Sequence, residues 1–235
     1  LTNAETPEEL ETAWTRVRDN FASVAADPEG VKSLRQAILQ LAVMGRLVPQ
    51  DPNEKSLATS STHKAVVNEN KGNMPFCLPK SWYWSCLGEL TTHITSGSRG
   101  WKKYYSPSGA VFIRSQDIKY DRLEFDEKAY VKLPGDVEGS RTRVFCGDLL
   151  LTITGANTGK AAIIDNDIGE GYVSQHVALV RFIEPAFAPF IHKWLVGSYG
   201  GRRLLLKESY GIRSGLNLEN IRQLLTPVPP LSEQR

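Results

Sequence analysis

The feature that most constrains the fold is the pattern of apolar residues from Phe76 onward, where short runs alternate with glycine-bearing turns. Short runs rich in β-branched and aromatic residues, bounded by turn residues, are typical of β-strands rather than helices. This pattern predicts strands at residues 111–113, 149–154, 161–164 and 177–182.

Helical spacing returns after these strands, at about residues 187–207, with Gly200 and Gly201 near the middle of that helix. Phe190, Ile191 and Trp194 of this segment are expected in the core. A shorter helix is predicted over 218–225, with Asn217 as its N-cap. Strands followed by helices predict an α+β fold with a mixed or antiparallel sheet, packed helices and a small helical region before it.

The helical region at the start of the chain has clear boundary signals. Thr6 and Glu9 have capping-box spacing, and an apolar stripe runs from Leu10 to Val24. Asp27 caps a second helix that Gly45 is expected to end. The two apolar stripes can pack on each other, on the following domain or on a partner helix.

Four regions follow from these patterns. We predict an N-terminal helical region at 1–49, a polar linker at 50–75, the main domain at 76–230 and the start of a further helix at 231–235. Because Ser232 has the position of a helix cap with little sequence after it, we expect that the chain is a truncated piece.

Composition predicts a soluble, cytoplasmic protein without a membrane contact. No apolar run approaches the roughly 18 residues of a membrane helix, and the acidic start lacks the order of a signal peptide. Three cysteines at 77, 86 and 146 have no metal-like spacing and favour neither a zinc site nor a disulfide framework.

Charge is distributed unevenly along the chain. Residues 1–30 hold seven acids and two arginines, a net charge of −5, so the remainder sums to +7 of the total +2. Basic residues concentrate in 97–120 and 189–215, and the 121–140 segment between them is acidic. This segregation fits either a polyanion-binding face or loops that keep the protein soluble.

The sequence contains no complete motif for catalysis, for a cofactor or for a metal site. The 155–160 segment, GANTGK, has one residue too few between its glycines for a phosphate loop and lacks the Ser or Thr that holds magnesium. It is better interpreted as a turn between strands. Asp126, Glu127 and Lys128 have the spacing of some nuclease sites but lack the preceding Pro-Asp pair. We therefore predict a non-enzymatic chain with no cofactor and no metal.

Five groups of phrases follow one another along the chain. They are residues 34–50 (LRQAILQLAVMGRLVPQ), 78–84 (LPKSWYW) with 87–90 (LGEL), 112–118 (FIRSQDI), 147–155 (GDLLLTITG) with 159–160 (GK), and 229–234 (PPLSEQ). Together and in this order, they resemble the specificity subunits of type I restriction-modification enzymes. The acidic residues 1–30 carry none of these phrases.

The resemblance implies a role and partners. Subunits of this family carry two target-recognition domains, each of which reads half of a split DNA site, and helices between them dock two methyltransferase subunits. It therefore implies that 76–230 is a DNA target-recognition domain, that 231–235 begins a conserved spacer helix, and that the partners are duplex DNA, the methyltransferase (modification) subunits and, through them, the restriction subunit.

Candidate DNA contacts come from basic and amide side chains in loops between strands. The 95–105 segment is the first choice, for its small, basic and aromatic residues. Arg114 and Gln116 alternate along a strand end and suit readout of guanine and adenine. His176, beside Gln175, is a further candidate. The predicted set is Ser96, Arg99, Lys102, Lys103, Tyr104, Arg114, Gln116, Lys160, Gln175, Arg202, Arg203 and Arg213.

Two other functions stay open from the sequence. The amphipathic helices at the start and the unfinished helix at the end fit a helical adaptor that binds protein partners, with incidental basic loops. The acids at 126 and 127 leave a nuclease as a third interpretation.

Overall fold

A computed structural model of the chain describes residues 1–4, 6–51, 53–54, 56, 74–119, 121–135, 139–197, 200–209 and 215–234. The described helices are Pro7–Asp19 (α1), Phe21–Ala26 (α2), Pro28–Val43 (α3), Phe187–Val196 (α4), Gly201–Lys207 (α5) and Leu218–Arg222 (α6). None of these helices is both long enough and apolar enough to cross a membrane. Most of the predicted linker lies outside the described residues.

The described residues also form twelve strands and several 3₁₀ turns. The strands are Tyr83–Cys86 (β1), Thr91–Ser96 (β2), Tyr105–Ser106 (β3), Ala110–Ile113 (β4), Ile118–Lys119 (β5), Arg122–Leu123 (β6), Tyr130–Val131 (β7), Leu149–Thr152 (β8), Ala161–Ile163 (β9), Gly171–Val173 (β10), Val177–Phe182 (β11) and Leu225–Val228 (β12). The 3₁₀ turns are Leu87–Leu90, Trp101–Tyr104, Ser115–Asp117, Ser140–Thr142 and Leu231–Glu233.

The predicted helix boundaries at the start of the chain are confirmed by their caps. The Thr6 hydroxyl accepts a hydrogen bond from the Glu9 backbone, and the Asp27 carboxylate accepts from the backbone of Glu29. Gly45 has a φ of 68°, the left-handed conformation that ends α3. Asn217 likewise caps α6 through its side chain.

Three predicted helices need correction. The stripe from Leu10 to Val24 is divided at Asn20, the C-cap of α1 and the N-cap of α2. The predicted helix over 187–207 is two helices, because α4 ends at Val196 and α5 starts at Gly201. A Cβ at Gly200 would lie 1.9 Å from the Trp194 carbonyl oxygen. Only a glycine lets the backbone before α5 come this close to α4. Helix α6 ends at Arg222 because Leu225 begins strand β12.

Two four-stranded sheets form the body of the molecule. The central sheet has the order β2-β11-β8-β9 and is antiparallel throughout. The second sheet has the order β10-β4-β7-β3, in which β10 and β4 are parallel. Two further strand pairs, β1-β12 and β5-β6, lie outside them. All four predicted strands are confirmed, and so is the α+β class with a mixed sheet.

The central sheet is buried on both faces, because its side chains alternate between two cores. Leu149 and Leu151 belong to a cluster with Ile191 and Leu195 of α4. Leu150 instead belongs to a cluster with residues of the second sheet, namely Val111, Ile113 and Val173. The central sheet therefore lies between a helix and a second sheet, which fixes the ends of its strands in space.

The N-terminal helical region packs on the following domain through α3. Val43 lies in a buried cluster with Trp84 and Trp194, whose ring centroids are 5.9 Å apart. Phe190, Ile191 and Trp194 are buried, as the helical pattern predicted. At the other end of the chain, Leu231–Glu233 is a single 3₁₀ turn with Pro230 as its N-cap, and Ser232 donates to a Glu54 carboxylate oxygen. The predicted domain boundaries stay predictions.

Candidate nucleic-acid interface

The register of the central sheet places three loops at one end of the molecule. Val177 at the start of β11 lies opposite Thr152 at the end of β8. The next residue of β11, Ala178, lies opposite Ser96 at the end of β2. The residues after Ser96, after Thr152 and before Val177 therefore emerge from the same end of the sheet.

The second sheet contributes loops to the same end. Strands β4 and β10 run parallel with Ile113 opposite Val173, so Arg114 and Ser174 leave the sheet side by side. The Ser174 backbone donates to the Ile113 carbonyl at 2.8 Å, and the Gly97 backbone donates to the Ser174 carbonyl at 3.2 Å. We call this surface the loop end and define it as residues 97–105, 114–116, 153–160 and 174–176.

A cavity of about 320 Å³ opens at the loop end. Its lining includes four residues of the predicted DNA-contact set, which are Lys102, Arg114, Gln116 and Gln175. The lining also includes Ser98, Tyr105 and His176. Residues separated by more than 70 positions in the chain are thus brought together by folding, in a cleft that combines positive, amide and aromatic groups.

The 95–105 segment is more ordered than the predicted loop. Ser96 is the last residue of β2, and Lys102, Lys103 and Tyr104 belong to a 3₁₀ turn. Trp101 of that turn is only 5% exposed, with its ring centroid 5.7 Å from that of Phe112. This aromatic residue therefore supports the fold.

The basic residues of the same segment face solvent. Arg99, Lys102 and Lys103 are exposed. The Lys103 ammonium lies 4.9 Å from the centroid of the half-buried Tyr104 ring. The positive charge of this segment therefore faces solvent, next to the half-buried Tyr104 ring.

Arg141, which the sequence did not single out, orients this segment. Its guanidinium donates to the Ser96 carbonyl oxygen and to the Ser98 hydroxyl, each at 2.8 Å, and also to the Thr95 hydroxyl. A planar guanidinium with several donors can fix three acceptors of one turn at once. This role could not be predicted from the sequence, because Arg141 follows an acidic segment and is 45 residues from the loop that it orients.

Arg114 and Gln116 do not alternate along a strand, because β4 ends at Ile113 and Gln116 lies inside the Ser115–Asp117 turn. The Arg114 guanidinium pairs with the Asp117 carboxylate at 2.9 and 3.0 Å and donates to the Glu127 carbonyl oxygen at 2.7 Å. The hydrogen bond that Arg114 donates to the Asp117 carboxylate is the main cause of the raised pKa of Arg114. The Gln116 side chain is exposed.

The 155–160 segment is the turn between β8 and β9 that the sequence predicted, and it carries Lys160 at the loop end. Gly155 and Gly159 have φ values of 104° and 86°, which L side chains rarely adopt. The Asn157 side chain donates to the Ser115 carbonyl oxygen at 3.1 Å, which joins this turn to the segment that carries Arg114 and Gln116.

The second basic cluster is divided between two surfaces. Arg202 donates to the Gly159 carbonyl oxygen at 2.8 Å and pairs with Asp121, so it adjoins the loop end. Arg203 is exposed and lines a different cavity, beside Gln40 and Phe76. Arg213 lies outside the described residues. The structure therefore brings one of these three arginines next to the first cluster and directs another elsewhere.

Comparison with known proteins gives a consistent result. The chain is 27% identical to the specificity subunit of the type I restriction enzyme EcoAI and 26% identical to that of EcoEI, both from Escherichia coli. Each match covers 100% of this chain and 43% of the relative. Its homologues are type I specificity subunits. The match includes residues 1–30, which carry none of the phrases that resemble the family.

Solved structures related to type I specificity subunits share the fold. The HsdS subunit from Thermoanaerobacter tengcongensis has a TM-score of 0.53 at 18% identity, over 97% of this chain and 46% of that one. A chain from a structure of type I R-M complex assembly and conformational transition has a TM-score of 0.52 at 16% identity, over 98% of this chain and 50% of that one. The chain spans less than half the length of the curated relatives. No protein family model matches it.

Among the described residues, no group of three or more His, Cys, Asp or Glu side chains has the arrangement of a metal site. Asp126, one of the acids that left a nuclease open, forms an ion pair with Lys119. The chemistry concentrated at the loop end of this relative of type I specificity subunits is that of hydrogen-bond donors, amides and positive charge.

Proposed function

We propose that this chain binds duplex DNA sequence-specifically, as the target-recognition domain of a type I restriction-modification specificity subunit that reads one half of a bipartite site. The observation that carries the proposal is the convergence at the loop end of Lys102, Gln116 and Gln175, which line one cavity but come from three separate segments. Lys160 lies on the adjoining turn between β8 and β9, which Asn157 joins to Ser115. Lysines of this kind neutralise phosphates, whereas amides read base edges.

The rigidity of the loop end supports specific readout rather than a diffuse charge contact. Its segments are joined by backbone hydrogen bonds, by Asn157 to Ser115 and by Arg141 to Ser96 and Ser98. A backbone joined in this way is already ordered before binding, so less conformational entropy is lost than when a loose loop becomes ordered, which favours discrimination between base edges.

A non-catalytic role follows from the relatives, which are named as specificity subunits. The proposed partners are the methyltransferase (modification) subunits and, through them, the restriction subunit. In such a complex this chain would direct the catalytic subunits to their site. Because the proposed ligand is duplex DNA, the proposed place of action is the cytoplasm.

Selection from a pool of random-sequence duplexes tests the proposal. Purified chain is mixed with the pool at moderate salt, bound duplexes are amplified, and the cycle is repeated before sequencing. The proposal predicts one enriched half-site, because each wrong base pair costs about 1–3 kcal/mol. Retention of duplexes with no enriched sequence would contradict specific readout.

A helical adaptor is the second candidate function, and one feature favours it. Helix α2 has no buried residue, and its first residue, Phe21, is 56% exposed, which leaves this short helix available to a partner protein. The same selection separates the two functions. An adaptor would retain no duplex above background at any salt concentration.

A further inference from the structure

We infer that Gln175, oriented by His176, reads an adenine in the proposed half-site. The inference rests on the proposed function and goes beyond it by assigning one base to one side chain. Gln175 and His176 lie between β10 and β11, where they line the loop-end cavity beside Gln116 and Tyr105.

The hydrogen bond between the two side chains determines which groups of Gln175 remain available. Gln175 Nε2 lies 3.0 Å from His176 Nε2. An amide nitrogen donates and does not accept, so His176 Nε2 is the acceptor in this contact. One amide hydrogen of Gln175 is used in this contact. The other hydrogen and the Oε1 oxygen form an adjacent donor and acceptor.

An adjacent donor and acceptor match the major-groove edge of adenine. Adenine presents N7 as an acceptor and the N6 amino group as a donor, so Gln175 Nε2 can donate to N7 while Oε1 accepts from N6. Guanine presents O6 where adenine has the amino group, and O6 facing Oε1 would place two acceptors together. The His176 contact therefore favours adenine over guanine.

The backbone around the pair is fixed on both sheets, which gives the amide a defined position. The His176 carbonyl accepts from the Ile153 backbone at 2.9 Å, and the Val177 backbone donates to the Ser174 carbonyl at 3.0 Å. Ser174 itself is 5% exposed and hydrogen-bonds to Ile113 of the second sheet. Gln175 therefore projects from a segment that both sheets hold.

Arg114 of the same cavity is better suited to a positioning role than to base contact. Its guanidinium has contacts with both Asp117 carboxylate oxygens and with the Glu127 carbonyl oxygen. These contacts use three of the five guanidinium N–H groups, so a bidentate guanine contact through Nε and Nη2 would require breaking charge-assisted hydrogen bonds. The Gln175 amide keeps one donor hydrogen and its oxygen beside the His176 contact.

The test uses the purified chain and the half-site obtained by selection from random duplexes. Affinities are measured for duplexes in which each adenine in turn is replaced by guanine, by 7-deazaadenine, which lacks the N7 acceptor, or by purine, which lacks the N6 amino group. We expect one position at which all three replacements weaken binding, by an amount on the order of tenfold for guanine.

The variant Gln175→Ala should lose the discrimination at that one position and keep it elsewhere. His176→Ala should weaken the same discrimination, and His176→Gln, whose amide oxygen can accept the hydrogen bond, should restore part of it. The matched control is Gln223→Ala, because Gln223 is an exposed glutamine of the segment after α6 that bonds to Glu219.

The outcomes separate this inference from the proposed function. If the parent chain selects no sequence, the proposed function fails. If it selects a half-site but Gln175→Ala, with the thermal unfolding midpoint of the parent, keeps the full base preference at every position, only the adenine assignment is overturned. If Gln175→Ala weakened binding by the same factor to every duplex, including those already altered at the assigned adenine, the adenine assignment would also be overturned.

Discussion

Asp117 is the residue that pairs with the charge of Arg114 and holds its guanidinium in place. Its side chain is 3% exposed, and it accepts hydrogen bonds from the Arg114 guanidinium and from the Arg114 backbone. Removing one partner of a buried ion pair leaves the charge of the other partner buried without a counter-charge. This lowers the free energy of unfolding far more than the loss of an exposed ion pair does. Single substitutions at this pair should therefore affect stability as well as the shape of the loop end.

We predict that Asp117→Asn lowers the free energy of unfolding by about 2 kcal/mol, because the amide loses charge and one of the acceptor atoms. Urea unfolding measures the change. The matched control is Asp126→Asn, since the Asp126 side chain is 78% exposed in its pair with Lys119. That variant should change stability by less than about 1 kcal/mol. Equal losses in both variants would contradict the role assigned to the buried pair.

His192, a residue of α4, makes the free energy of unfolding depend on pH. Its Nε2 donates to the carbonyl oxygens of Asp121 and Ala161, and burial lowers its pKa below the ordinary value of 6.5. A lowered pKa means that the unfolded chain takes up the proton first as pH falls. The stabilisation is therefore complete above pH 6.5 and is lost progressively as pH falls below it.

We predict that the free energy of unfolding of the parent chain decreases more steeply below pH 6.5 than that of His192→Gln. The glutamine amide can donate to the same carbonyl oxygens without titrating. Urea unfolding at a series of pH values measures the two slopes. Parallel pH profiles for the two proteins would show that His192 titrates no differently in the folded chain.

At the scale of elements, the loop end depends on close contact between the segment after β2 and the segment after β10. A Cβ at Gly97 would lie 2.1 Å from the Val173 carbonyl oxygen and 2.3 Å from the Ser174 carbonyl carbon. No side chain fits there unless the two segments separate. Glycine at this position therefore sets how near Ser98 and Lys102 lie to Gln175.

We predict that Gly97→Ala lowers the free energy of unfolding by about 2 kcal/mol or more and weakens duplex binding. Gly135→Ala is the matched control, because a Cβ at Gly135 would meet nothing within 4 Å. Thermal unfolding and duplex affinity of both variants check the prediction. A Gly97→Ala protein with parental values in both measurements would contradict the close contact.

Elements with strong local signals were predictable from the sequence, and those held by distant partners were not. Thr6, Asp27 and Asn217 predicted helix starts because capping is a contact within one turn. Strand β10 was missed, because its three residues are defined by pairing with β4, some 60 positions earlier. The helix over 187–207 was predicted whole because its apolar spacing continues past Gly200, where contact with Trp194 interrupts it.

For the whole molecule, the proposed DNA-binding surface is a product of strand register. The sequence identified Lys102, Gln116, Lys160 and Gln175 as separate candidates, but it contained no signal that they share one end of two sheets. It also grouped Arg202 with Arg203, although consecutive residues of a helix point about 100° apart and these two face different surfaces. Such placements depend on which distant strands pair and in which register, and no short segment of the sequence carries that information.

The central claim is that duplex DNA contacts the loop end, and the salt dependence of binding tests it most directly. Lysines that contact phosphates release counterions, so each one removed should reduce the slope of log Kd against log salt by about 0.9. The combined variant Lys102→Gln, Lys103→Gln and Lys160→Gln removes three charges from this surface. Arg143→Gln removes an exposed charge outside the loop end, because Arg143 lies 5.5 Å over the Phe145 ring and lines a different cavity.

We predict that the combined variant loses affinity for the duplex and that its slope falls by about two to three. Arg143→Gln should keep the affinity and the slope of the parent chain. The account would be contradicted if the combined variant, folded as the parent, bound duplex with the affinity and the slope of the parent chain, or if Arg143→Gln reduced the slope as much as the combined variant.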